Sequence, residues 1–257
     1  MLVMFKNSLD SKFYLKTFFH SFLLSFLAGN VNAGGFMACG RFVTHVTGFA
    51  TLFGVDLARG DWQAGIGIMS VPLYFLVGSM ISAYLIDKRI HEGRRAAYPV
   101  VMGLITACLL LAAFGGHFSL FGIFGQGIDL RKDYILLALL CGASGLQNAA
   151  VTTFSGAVVR TTHLTGITTD LGIGIVRAVF SAPTKKDYCR EVRANWLRAI
   201  TVLSFMFGSV VGAFLFLTYN YLGFLLPALI AFYAMIVTQF AGDDIPMPSG
   251  SVDSPEI

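Results

Sequence analysis

The sequence predicts an all-α membrane protein: six spanning helices as a 3+3 inverted repeat, each half with one additional short, broken half-helix. Three observations lead there. First, 56% of the 257 residues are hydrophobic and only 12% are charged, about half the charged share of a soluble domain. Mean hydropathy is +0.73. Second, six apolar segments reach the length of about 20 residues that a helix needs to cross a bilayer. Third, one polar, Thr-rich phrase is written twice. In RFVTHVTGFATLFG, from Arg41, the residues Thr44, His45, Thr47, Gly48, Thr51 and Gly54 recur in VRTTHLTGITTDLG, from Val159, as Thr162, His163, Thr165, Gly166, Thr169 and Gly172. Arg59 and Arg177 extend the match, and the offset is 118 throughout (162 − 44 and 177 − 59).

Residues 1–16 carry Lys6, Lys12 and Lys16 and read as a cytoplasmic N-terminal segment. The apolar stretch that follows ends in Gly29–Ala33, GNVNA, which imitates the end of a signal peptide. The same Gly-x-x-Asn-Ala pattern returns at Gly145–Ala149, where cleavage cannot explain it, so the first stretch is read as a retained helix. The expected spans are Thr17–Gly40, Gly65–Ile86, Tyr98–Phe118, Tyr134–Phe154, Trp196–Tyr219 and Tyr221–Phe240, with aromatic residues at many ends. Thr44–Ala58 and Thr162–Val176 have 15 residues each, about 22 Å of helix, too short for a hydrocarbon core of about 30 Å. The first repeat is then 17–114, the linker 115–133, the second repeat 134–240, and 241–257 a disordered cytoplasmic tail.

Positive charge selects the topology. The clusters Lys6/Lys12/Lys16, Asp87–Arg95 and Lys185/Lys186/Arg190/Arg193/Arg198 all fall on one side only if the two short segments do not span. Both termini are then cytoplasmic. Arg131 and Lys132 are the discordant pair, flanked by Asp129 and Asp133. Each half holds an odd number of spans, so the second enters the membrane upside down relative to the first, as in many secondary transporters.

The broken segments carry the candidate chemistry. Each copy has an Asn in the preceding span, Asn32 or Asn148, then 13 or 15 residues to the His. A buried amide must bond backbone or ligand, and both roles stay open. Thr44 and Thr162 are expected N-caps, with Thr47, Thr51, Thr165 and Thr169 along one face and Gly48 and Gly166 allowing close backbone approach. Helix N-termini favour an anionic group. Arg41 and Arg160 would strengthen that preference or anchor the chain to headgroups. His45 and His163 are candidate substrate donors or proton relays, or structural residues copied by duplication. Asp170, whose counterpart is Leu52, is a coupling candidate. Small residues at four-residue spacing (Ser25, Gly29, Ala33; Cys141, Gly145, Ala149; Ser204, Gly208, Gly212) suit close helix packing.

The four cysteines form no CxxC pair, so no metal site, disulfide framework or resident cofactor is expected. No GxSxG, Walker loop or HExxH occurs, so no enzyme is expected either.

GNVNAGGF…FVTHVTGFATLFG and GLQNA…VVRTTHLTGITTDLG resemble the YoaK-like family of bacterial integral membrane proteins (UPF0700, DUF1275) over roughly residues 18 to 240. Thr161, Thr162, Thr165, Gly166, Thr169, Asp170 and Gly172 carry the more specific match, while Asn32 and Phe49 depart from the acidic and polar residues the family usually shows. The resemblance implies a polytopic inner-membrane protein. The repeat argument adds the functional expectation: a secondary transporter or exporter of a small, anionic or aromatic solute, with a site built where the half-helices meet. Its partners would be the bilayer and that solute, not nucleic acid, and a homo-oligomer stays open. The competing expectations are a haem- or metal-binding redox protein using His45 and His163, and a non-catalytic scaffold or sensor.

Overall fold

The computed structural model describes residues 11–126, 132–155, 161–181 and 184–240. The elements are α1 (Ser11–Cys39), α2 (Val46–Ala58), α3 (Trp62–Leu85), α4 (Asp87–His91), α5 (Tyr98–His117), α6 (Asp133–Phe154), α7 (Leu164–Phe180), α8 (Lys185–Tyr219) and α9 (Leu225–Phe240). Among the described residues, five stretches are long and apolar enough to cross a membrane: Phe18–Cys39, Gly67–His91, Tyr98–His117, Asp133–Phe154 and Asp187–Phe240. The last contains both α8 and α9. A 3-10 turn at Asn220–Phe224 separates them, with Asn220 in the left-handed region at φ 49°.

Two boundaries differ from expectation for local reasons. α8 starts at Lys185 instead of Trp196, because Thr184 caps it. Its Oγ1 accepts from the Asp187 amide at 3.1 Å and donates to the Asp187 carboxylate at 2.6 Å, so the charged stretch to Arg198 continues the helix outward. The last span shortens to α9, since Tyr221 is used in the 3-10 turn. There it packs tilted against Phe121 and edge-on to Phe124, and donates to the Gly122 carbonyl at 2.7 Å. The linker thus folds back over the α5 and α9 ends, and the Gly122 amide donates to Asp133 at the start of α6.

The helices pair across the sequence halves. α1 lies on α8 and runs the same way: Phe26, Asn30 and Gly34 meet Gly208, Gly212 and Phe216 in order. α3 lies on α6, also in the same direction. Gly67 sits at the Tyr134 hydroxyl, Phe75 at Gly145, and Thr153 donates to Asp87 at 2.9 Å. α5 and α9 run oppositely, with Gly116 at Tyr221 and Gly103 at Met235. α1 and α6 are antiparallel: Leu24 meets Gln147, while Ala38 accepts from Gly125 in the loop that leads to Asp133. α2 rests on α3, and α7 on α8.

The two same-direction crossings are built alike. At α1–α8, a Cβ on Gly29 would collide with the Phe205 carbonyl, and one on Gly208 with the Phe26 carbonyl. Ser209 donates to the carbonyls of Phe205 (3.0 Å) and Gly29 (3.1 Å). At α3–α6, a Cβ on Gly145 would collide with the Phe75 carbonyl, and one on Gly78 with the Gly142 carbonyl. Ser79 donates to the carbonyls of Phe75 (3.0 Å) and Gly145 (3.2 Å). Close backbone contact of this kind suits association in lipid, where burial of apolar surface supplies little drive. Leu73, Leu76, Val77 and Met80 on α3, and Met206, Phe207, Val210 and Phe214 on α8, point outward and are exposed.

Candidate functional site at the half-helix tips

After α1 ends at Cys39, the chain turns back along it. Asn32 Oδ1 accepts from the Thr44 hydroxyl at 2.8 Å and from its amide at 3.3 Å. Asn32 lies seven residues (39 − 32) before the end of α1, so the tip of α2 is tethered about 10 Å inside that end. After α6 ends at Phe154, the second tip also returns. Gln147 Nε2, seven residues (154 − 147) from that end, reaches the Thr161 hydroxyl at 3.5 Å and the Leu24 carbonyl of α1 at 2.6 Å. Thr44, Thr161 and Thr162 are buried. The tips therefore descend to similar depths from opposite ends of the antiparallel α1–α6 pair. Between those depths the α1–α6 pair carries Leu27, Leu140 and Cys141, all fully buried.

Thr44 and Thr162 are not the N-caps. Those positions fall to His45 and His163, neither with a side-chain cap bond. Thr44 is drawn off by Asn32 instead. His45 is half-buried, its ring edge-on to Phe42, and its buried Nδ1 has no partner. Burial pushes its pKa below the usual histidine value, which favours the neutral ring. His163 is exposed, its ring lying 3.0 Å from where a Gly166 Cβ would stand. Gly48 is looser, with His45 at 3.9 Å.

Thr51 and Thr169 behave identically: each donates to the carbonyl four residues back, Thr47 at 3.2 Å and Thr165 at 3.0 Å. All four of these threonines are exposed, as is Asp170. Arg41 donates to the Gly40 carbonyl at 3.3 Å. Arg160 lies outside the described residues, as do Lys6, Asp129, Arg131, the 241–257 tail and the side chains of Lys12, Lys16 and Lys186.

α2 rests on α3 and α7 on α8, so the cross-half pairing gives the two short helices different main partners. His45 and His163 stand at the starts of those two helices, and no group of three His, Cys, Asp or Glu residues suited to a metal occurs among the described residues.

Three features escape the repeat comparison. Gln147 aligns with Val31 at the offset of the two Asn residues (148 − 32 = 116) and so has no echo. Asn30, fully buried with both amide atoms unpartnered, aligns with Leu146. The crossing motif was visible: Phe75–Ser79 and Phe205–Ser209 both read Phe-x-x-Gly-Ser, but at an offset of 130 (205 − 75) instead of 118.

A family profile described as "Protein of unknown function (DUF1275)" matches residues 20–237. The chain belongs to the DUF1275 family. No curated protein and no solved structure matches it. The match runs from the first third of α1 to the last turn of α9, so it covers both tips and both crossings. With several span-length apolar helices and exposed apolar faces on α3 and α8, this DUF1275 protein is a multi-pass membrane protein.

Proposed function

We propose that this protein is a secondary transporter or exporter of a small solute, built as a 3+3 inverted repeat in an inner membrane with both termini cytoplasmic. One observation carries the reading. The α1–α8 and α3–α6 crossings share the same Gly contacts and the same bridging serine, although α1 and α6 run in opposite directions. Exchanging the halves turns α1–α8 into α6–α3, α7–α8 into α2–α3, and α5–α9 into itself. Such an exchange relates the two access states of an inverted-repeat transporter.

The pairing supports a particular motion. Each close pair joins one helix from each half, so the rigid bodies are α1–α7–α8 and α2–α3–α6, with α5–α9 between them. Rocking of these bodies replaces rocking of one half against the other. The exposed amide ends of the tips, together with Arg41, favour a solute with an anionic group. Hydroxyls and imidazoles at the tips bind and relay protons; no covalent step is assigned to them, and the protein is not an enzyme.

A thermal-shift screen of purified protein identifies solutes that stabilise it, and proteoliposomes then measure their movement. Flux is expected from native protein and is lost in His163→Ala and Thr165→Ala variants that keep the native helical content. Retained flux in both removes the tips from the site.

A further inference from the structure

The repeated Asn and Thr are in different states in the two halves. Asn32 holds Thr44 through two hydrogen bonds. Asn148, its counterpart, has a buried Oδ1 with no partner. Thr162, the counterpart of Thr44, is buried nearby in sequence beyond the Thr161 that Gln147 reaches. A buried carbonyl oxygen without a donor has lost its water and gained nothing in return, so it marks a bond that this conformation leaves unmade. The donor set to satisfy it is present, because the second half repeats the hydroxyl and amide that satisfy Asn32.

We infer that Asn32–Thr44 and Asn148–Thr162 are two latches that close alternately, each securing one half-helix tip. The structure has the first latch closed and the second open. In the opposite state the amide of Asn148 takes the Thr162 hydroxyl and amide, and Asn32 is released. This rests on the two-repeat part of the function above, but not on movement of any solute. The closed latch holds the 40–45 connection against α1. There Val43 packs on Gly35, whose carbonyl accepts from the Cys39 thiol at 3.2 Å. Release of the latch uncovers Cys39, which is 1% exposed.

Cys39 is therefore a native reporter. In a variant with Cys108, Cys141 and Cys189 replaced by Ala, a membrane-impermeant maleimide reads Cys39 exposure in sealed vesicles. Thr44→Val is expected to speed labelling several-fold. Asn148→Leu, which removes no bond present here, is expected to slow it, and in the double variant to return the Thr44→Val rate toward the starting value. Mere loosening around Thr44 predicts no response to Asn148, which lies on another helix. Labelling unchanged by Asn148→Leu, in both the native and the Thr44→Val backgrounds, overturns the inference. If Thr44→Val does not fold, the Asn148→Leu arm alone decides. Coupled labelling without flux of any solute leaves the latches standing and removes transport.

Discussion

At the scale of single residues, polar groups in this chain act chiefly by holding backbone. Asn32 fixes a tip, Gln147 ties the second tip to α1, and Ser79 and Ser209 stitch crossings. Asn32→Leu leaves the Thr44 amide and hydroxyl buried without an acceptor, at a cost of roughly 1–3 kcal/mol. A thermal unfolding scan in detergent should show a lowered midpoint, whereas Asn148→Leu, which removes an unpartnered buried oxygen, should leave the midpoint at or above the native one. Gly145→Val drives a side chain into the Phe75 carbonyl and within 3.1 Å of the Ser79 amide. Backbone cannot step aside as a side chain can, so overpacking of about 1–3 kcal/mol or more is expected. The same scan checks it, and the equivalent Gly29→Val should cost a similar amount.

At the scale of elements, the two polar segments were legible as separate short helices, now α2 and α7, because duplication repeated Thr, His and Gly in an apolar setting. What each Thr does was not. The sequence offers a hydroxyl just before a helix and capping is the local preference, but a carbonyl on α1 twelve residues earlier competes for Thr44 and wins. Sequence order could not show that competition, nor the partner of any helix. α3 holds a further device, Pro72, inside the helix and one turn before the Phe75–Ser79 crossing. Proline removes the bond to the Ile68 carbonyl and bends a helix. Pro72→Ala should therefore preserve or raise the unfolding midpoint while slowing flux in proteoliposomes. An unchanged rate would show that Pro72 takes no part in the movement.

At the scale of the molecule, spans and their boundaries were legible to within a few residues for α1, α3, α5 and α6, since hydrophobic length alone fixes them. The start of α8 was not, because Thr184 and Asp187 carry a charged helix past the apolar limit. The proposed sidedness puts the basic loop after α3 and the loop after α5 on opposite faces of the membrane. Cysteines placed at Glu92 and at Ser119 in the Cys-free background should label from opposite faces of oriented vesicles. Glu92 should match a lone native Cys189. Both sites are exposed, so accessibility is not the obstacle. Labelling of Glu92 and Ser119 from one face would require α5 not to cross.

The cross-half crossings also dictate how such a chain can be made. When the ribosome has delivered α1, its glycine face has no mate until residues 205–216 emerge, which begins 166 residues after Cys39 (205 − 39). The nascent amino-terminal half must wait in the bilayer with that seam unfilled, shielded by lipid or an insertion factor. Neither half expressed alone should accumulate, whereas the two halves produced together from separate transcripts should find each other and be recovered as one complex.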